Sequence, residues 1–232
     1  MSLRTPPAAV AGDLPAEWWQ RAGHDLRGVV APMRMAVQLL TGGKVAAAER
    51  DEALQLLERQ IDALLGGIDD LGDLLRVNGG SFALRPVRQD ANLLLELVAG
   101  RAGLARGLTE KRLEIEFIAA PRELPLEHDP ARMASLLEFL LRRLSERAAA
   151  GGVLRMEVAE ESGAAVINVS GATESMGGDA DLSHVLDLDG PPHSEPRLQA
   201  LLMREIARLA AVDFAVERPG CITLRFPPAG KA

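Results

Sequence analysis

Two runs of heptad spacing separated by a glycine pair constrain the first third of this chain to a helical hairpin. Trp19, Gly23, Leu26, Val30, Met33, Val37 and Leu40 follow one another at steps of four and three, the spacing of a helix packed in a bundle. Thr41-Gly42-Gly43-Lys44 then breaks the pattern, with glycines suited to ending one helix and turning the chain. Leu54, Leu57, Ile61, Leu64, Ile68, Leu71 and Leu75 resume the pattern without a miss. A second helix is therefore expected from about Ala46 to Arg76, on the order of 45 Å long at ~1.5 Å per residue. A lone pair of such helices leaves much apolar surface wet. Pairing with a second hairpin into a four-helix bundle is the usual remedy, so a homodimer is expected.

The chain has 232 residues, 47% of them hydrophobic, enough for that hairpin and a separate globular core. We divide it into a flexible tail over 1–12, the hairpin over 13–79 and a second module over 80–228, with Asn78-Gly79-Gly80 at the boundary. Thr5-Pro6-Pro7-Ala8-Ala9 marks the tail, ahead of a helix starting near Asp13 and Pro15. Net charge is −7, and no Lys/Arg stripe is interleaved with aromatics, which argues against a nucleic-acid surface. No apolar run approaches the roughly 20 residues of a membrane helix, and residues 1–12 lack the apolar region of a signal peptide. The expectation is a cytoplasmic protein with no membrane span. Cys221 stands alone in an apolar stretch and reads as a core thiol; it allows no intrachain disulfide, and no metal site is expected.

Beyond the boundary, long heptads give way to short alternating elements, an α+β pattern. Ser81 to Val87 reads as a strand, and Asp90 as the cap of a helix running to about Arg106. Arg112 to Ile118 alternates, with Leu113, Ile115 and Phe117 on one face, so a half-buried strand is expected. Asp129-Pro130 is a strong helix start, and Met133, Leu136, Leu137, Leu140, Leu141 and Leu144 form the buried stripe behind it, ending near Gly151. A hairpin from Val153 to Val158 and Ala165 to Val169, a third helix from Pro196 to Val212, and a closing hairpin of Phe214 to Val216 with Ile222 to Phe226 complete the module.

One residue of the first helix carries possible chemistry. His24 falls one place after a seam position and so faces water. Asp25 lies beside it, and small residues Gly28 and Ala31 follow one and two turns on, leaving room for a docking protein. A neutral imidazole so placed can attack phosphorus near neutral pH, which makes His24 a candidate phosphoryl carrier. The plainer alternative is a surface histidine beside a solvated Asp25, with Arg27 and Arg34 pairing acids on the next helix. Trp18 and Trp19 read as bundle packing or a partner contact. His128, His184 and His193 have no companion at ligand spacing and read as structural or solvent-exposed. Arg142, Arg143 and Arg147 are either a phosphate-binding group or a solvated helix face.

Taken in order, these segments resemble the cytoplasmic core of bacterial sensor histidine kinases. His24-Asp25-Leu26-Arg27 followed by Ala31-Pro32-Met33-Arg34-Met35-Ala36 is similar to that family's phosphoacceptor box. Asp129-Pro130-Ala131-Arg132-Met133 resembles the entry to its metal-binding helix, and Leu224-Arg225-Phe226-Pro227 its last strand. The resemblance implies a fold: an α-helical dimerisation and phosphoacceptor hairpin, a four-helix bundle on dimerisation, followed by an α+β two-layer ATPase-like sandwich of mixed sheet and three helices.

The resemblance also implies a nucleotide site whose expected residues are replaced. Arg143 stands where the family places a magnesium-binding asparagine, and Phe139 where another asparagine often lies one turn earlier; arginine has no lone pair for a metal. Gly171-Ala172-Thr173-Glu174-Ser175 aligns with the adenine-binding Asp-x-Gly-x-Gly, so Gly171, Thr173 and Ser175 are degenerate positions. Arg197 and Gln199 replace glycines that let backbone approach phosphates. The loop over 177–196 carries Asp179, Asp181, Asp187, Asp189 and Glu195 with no Lys or Arg. Gly28 occupies the place of a Thr or Asn that orients water for dephosphorylation in the family, and Val29 that of a following proline, which argues against phosphatase activity.

The resemblance thus implies a degenerate kinase, closest in character to histidine phosphotransferases built on a kinase core. Its expected function is that of a histidine phosphotransfer protein in a two-component phosphorelay, without ATP binding. His24 would be the nucleophile, and Asp25 would orient its ring or accept its proton; Arg27 and Arg34 would steady phosphoryl oxygens or the acidic receiver pocket, with Gly28 and Ala31 facing the receiver. Response-regulator receiver domains are the expected partners, and magnesium is expected on the receiver, with no cofactor in this chain. Two alternatives stay open: a divergent ATP-dependent sensor histidine kinase, and a non-catalytic scaffold or decoy binding a response regulator or kinase.

Overall fold

The computed structural model describes residues 16–43, 45–101, 111–171, 197–218 and 221–227. The expected tail over 1–12, Thr173, Ser175, the loop over 177–196 with His184 and His193, and the side chains of Trp18, Trp19, Arg147 and Arg197 lie outside the described residues. The chain forms two compact units, Met1–Phe82 with Pro191–Leu202, and Ala83–Gly190 with Met203–Ala232.

In the first unit, helix α1 (Ala16–Thr41) and helix α2 (Ala47–Asn78) pack as a hairpin. Gly43 turns the chain at a φ of 125°, where a Cβ would be strained. The two helices approach closely at Gly67, where an added Cβ would lie 3.0 Å from Leu26 Cδ2. Amides of Ser81 and Phe82 both donate to the Arg76 carbonyl, at 2.9 and 3.0 Å, and finish α2.

The expected seams divide in two. Leu57, Leu64 and Leu71 are half-buried, whereas Leu54, Ile61, Ile68 and Leu75, seven residues apart, stay 44–50% exposed. On α1, Leu26, Met33 and Leu40 turn inward while Val30 and Val37 are exposed, and Ala22, Val29 and Ala36 supply the rest of the packed face. A heptad helix has an apolar stripe wide enough for two neighbours. Each helix of the hairpin spends one half of its stripe on the other, and the alternate seam positions remain exposed.

The second unit holds strand β1 (Val87–Asp90), helix α3 (Ala91–Ala99), strands β2 (Glu114–Ile118) and β3 (Pro125–His128), and helix α4 (Pro130–Arg147). Strands β4 (Val153–Glu161) and β5 (Ala164–Gly171) follow, then helix α5 (Arg197–Leu209), which starts among residues of the first unit, and strands β6 (Asp213–Arg218) and β7 (Cys221–Arg225). Five strands make a mixed sheet in the order β2-β4-β5-β7-β6, parallel only between β2 and β4; β1 and β3 form a separate antiparallel pair. Helices α3 and α4 pack on each other, and α4 covers β4 and β5. Met133, Leu136, Leu137, Leu140, Leu141 and Leu144 from α4 meet a core that includes Leu94, Leu154, Met156 and Ile167, all fully buried. Each such leucine contributes about 1.5 to 3 kcal/mol.

Local chemistry sets the element ends. Asp90 Oδ1 accepts from Asn92 N at 3.3 Å and from Leu124 N at 2.9 Å, capping α3 and pinning the loop before β3. Asp129 does the same for α4, with Oδ1 accepting from Arg132 N at 3.1 Å and Oδ2 from Arg85 N at 2.9 Å. That second bond explains one departure from expectation. Residues 81–86 form no strand, because Arg85 N is held by a side chain; pairing begins at Val87, opposite His128, in the unanticipated strand β3. The helix after Asp90 also stops early, at Ala99 rather than near Arg106, where Gly100 N closes it on Glu96 O at 3.0 Å. Strand β2 starts at Glu114 rather than Arg112, which turns at a φ of 53°. The β4–β5 turn at Ser162 and Gly163 has positive φ at both residues, as a two-residue hairpin requires.

Candidate functional site

Helix α1 presents His24 with its side chain 80% exposed, at the position its helical phase dictates. Steps of four, seven and eleven residues bring Gly28, Ala31 and Met35 onto the same face, and Arg27 and Arg34 flank it. All five are exposed, Met35 at 70%. Among the described residues, nothing outside the local helix backbone comes within 4 Å of where a Gly28 Cβ would sit, so this part of the α1 surface has room beside the ring. Pro32, inside the helix, has no N–H to give the Gly28 carbonyl. Met35 escaped the sequence reading, although an apolar residue off the seam and eleven places from His24 was a usable signal.

Asp25 does not lie in solvent as a plain helix charge would. It is 16% exposed, with Oδ1 3.6 Å from His24 Nδ1, close to the ring but beyond hydrogen-bond range. Its other oxygen, Oδ2, accepts from the backbone amide of Leu198, in the first turn of α5, at 3.3 Å. Both residues belong to the first unit. No sequence signal marks this bond, because the donor is a backbone N–H.

The positions aligned with the kinase nucleotide site lie on α4, β5 and α5. Phe139 is 2% exposed, in the core, and offers no ligand atom. Arg143 is half-buried, its guanidinium carbon 5.9 Å from the Phe139 ring centre, a cation–π arrangement. Gly171 is the buried last residue of β5, paired with Leu154, and Gln199 is half-buried in the first turn of α5. Near them on α4, Glu138 meets Arg101 Nε at 2.9 Å; burial pushes its carboxyl up in pKa, against the pull of Arg101 and Arg142.

The remaining candidates are structural. His128 is buried at 3% exposure, with Nε2 3.2 Å from the Gln89 side-chain nitrogen and its ring edge-on to Phe226. Burial holds its pKa below the ordinary value; the Asp129 carboxylate and the Leu126 backbone pull the other way. Cys221 is a buried free thiol. Among the described residues, no group of three His, Cys, Asp or Glu could hold a metal ion, and no helix is long and apolar enough to cross a membrane.

No protein-family model and no curated protein matches this chain. Solved structures do match. Histidine kinase AdeS of Acinetobacter baumannii is 16% identical with a TM-score of 0.64, the match covering 89% of this chain and 98% of that one. Histidine kinase ThkA, solved in complex with response regulator protein TrrA, is 12% identical with a TM-score of 0.63, covering 92% of this chain and 62% of that one. Full-length ShkA, solved in complex with AMPPNP, is 16% identical with a TM-score of 0.56, covering 91% of this chain and 45% of that one. The chain therefore spans nearly all of the AdeS structure and less than two thirds of the other two. At such identities the likeness is one of fold. A helical hairpin followed by an α/β sandwich is the dimerisation and ATPase-like fold of a sensor histidine kinase core.

Proposed function

We propose that this chain is a histidine phosphotransfer protein of a two-component phosphorelay, carrying phosphate on His24 between receiver domains without using ATP. The observation that carries the reading is the His24 ring: exposed on a rigid helix, with a carboxylate on one side and an open face of small residues flanked by Arg27 and Arg34 on the other. The histidine-kinase fold makes two-component signalling its setting, and a neighbour solved with a response regulator supports that class of partner.

Nδ1 is the ring nitrogen nearest Asp25, so Nε2 is free to react. Its lone pair attacks the phosphorus of a receiver's aspartyl phosphate. The P–O bond breaks, and its electrons leave with the aspartyl carboxylate. Nδ1 keeps its proton, and the resulting cationic ring lies beside the Asp25 carboxylate, which stabilises it. Arg27 and Arg34 steady the phosphoryl oxygens during approach. The remaining charge neutralisation would come from magnesium on the receiver rather than from a residue of this chain. The reverse reaction delivers phosphate to a second receiver.

Nucleotide with its magnesium fits this chain poorly. Phe139 fills an amide's place with a core aromatic, and Arg143 puts a cation where one is to be bound. As for assembly, a second copy of the hairpin is the natural cover for Val30, Val37, Leu54, Ile61, Ile68 and Leu75, all exposed on a single chain.

The test is to incubate the full chain separately with ATP and with a phosphorylated receiver, then look for acid-labile phosphate. Label from the receiver alone, lost in His24→Gln, is expected. Label from ATP would establish the second reading, a divergent kinase, which the kinase fold and a neighbour solved with AMPPNP favour. Label from neither, with receiver binding intact in His24→Ala, would leave a scaffold.

A further inference from the structure

We infer that the first turn of α5 restrains the phosphoacceptor by drawing the Asp25 carboxylate away from it. The inference rests on the phosphoryl-carrier reading of His24. Among the described residues, Asp25 has two claimants within the first unit: the His24 ring, 3.6 Å from Oδ1, and the Leu198 amide, 3.3 Å from Oδ2. Only the second distance is that of a hydrogen bond. Leu198 is the second residue of α5, so its N–H is one of the first-turn amides that a helix leaves without an internal acceptor. These amides, at the positive end of the helix dipole, prefer an anion. A carboxylate held there is a poorer neighbour for a ring that turns cationic as it takes phosphate. Released from Leu198, Asp25 closes on Nδ1–H, and phosphoryl uptake by Nε2 speeds up. Leu198 is thus a positioning residue that acts through its backbone.

Two measurements on the full chain test this. In hydrogen exchange, Asp25→Ala should speed exchange of the Leu198 amide about fivefold or more, the worth of one hydrogen bond, while amides in the middle of α2 stay unchanged. For the reaction, phosphoramidate serves as a donor that needs no receiver: Nε2 attacks phosphorus, the P–N bond breaks, and ammonia leaves from the nitrogen-protonated donor. Leu198→Pro removes the amide at a first-turn position that tolerates proline, whereas Leu198→Ala keeps it and reports the loss of the side chain alone. Leu198→Pro should label His24 about fivefold faster than Leu198→Ala, a gap that closes in an Asp25→Ala background. An unchanged Leu198 exchange rate in Asp25→Ala overturns the contact, and equal labelling of the two Leu198 variants overturns its effect. A chain that neither phosphoramidate nor a phosphorylated receiver can label, yet whose Leu198 amide responds to Asp25→Ala, sinks the carrier reading and takes the restraint with it.

Discussion

Arg143 carries its guanidinium carbon 5.9 Å from the centre of the Phe139 ring, one turn back along α4, and the ring itself is sealed in the core. A pair that a kinase pattern would fill with two amides is here an aromatic and a cation in contact. The energetic weights of the two differ. Phe139→Asn leaves a cavity and an unpartnered amide, and should cost about 3 to 5 kcal/mol of stability in urea unfolding followed by circular dichroism. Arg143→Ala takes away the ring contact of a half-buried guanidinium, worth about 1 kcal/mol, and should cost less than Phe139→Asn in the same measurement. A small loss at Phe139 would mean that the ring does not hold α4 in place.

Much of this architecture was legible because its signals are local. The stripe from Met133 to Leu144 is buried at every position expected of it, and Asp90 and Asp129 both cap the helices they precede. The misses have a common origin in contacts distant along the chain. Asp129 also binds Arg85 N, 44 residues back, which delays β1 to Val87. The heptads of α1 and α2 showed an apolar stripe but not which half of it faces the hairpin partner, because spacing is blind to the number of neighbours. Of the candidate site, the exposed face from His24 to Arg34 follows from helical phase. The bond from Leu198 to Asp25 spans 173 residues and uses a backbone donor, so no residue type announces it.

Burial of His128 gives the second unit a pH dependence whose sign is fixed. The folded-state pKa lies below the ordinary 6.5, so as pH falls the unfolded chain takes up a proton before the folded one does. Stability from this residue is full above about pH 6.5 and is lost as pH drops below it toward the folded pKa. His128→Gln keeps a polar group but cannot titrate here. Its urea midpoint should vary less than that of the natural chain between pH 7 and 5; equal slopes would assign the acid sensitivity to other groups.

Lys111 closes the C-terminal end of α4. Its Nζ donates to the Ser145 carbonyl at 3.0 Å and the Ala148 carbonyl at 3.2 Å, placing a positive charge where the helix dipole is negative. Lys111→Met preserves the aliphatic stem and removes both charge-assisted bonds. Thermal unfolding should show a loss of about 1.5 to 3 kcal/mol. Amide exchange should quicken first at 144–148, the last turn of α4, rather than across the sheet.

The open stripe on the hairpin separates folding from assembly. Ile61 and Ile68 are 44% and 50% exposed on a single chain, so charging them removes little packing within the hairpin. In a four-helix bundle of two chains, the same residues would sit in the shared core, where an unpaired carboxylate costs several kcal/mol. The double variant Ile61→Glu with Ile68→Glu should therefore sediment as a monomer at micromolar concentration, while the natural chain sediments as a dimer. Helix content by circular dichroism should fall only modestly, because Leu57, Leu64 and Leu71 still face α1. If the variant remains dimeric, the two copies meet through another surface; if the natural chain is monomeric at all concentrations, the stripe serves a different partner.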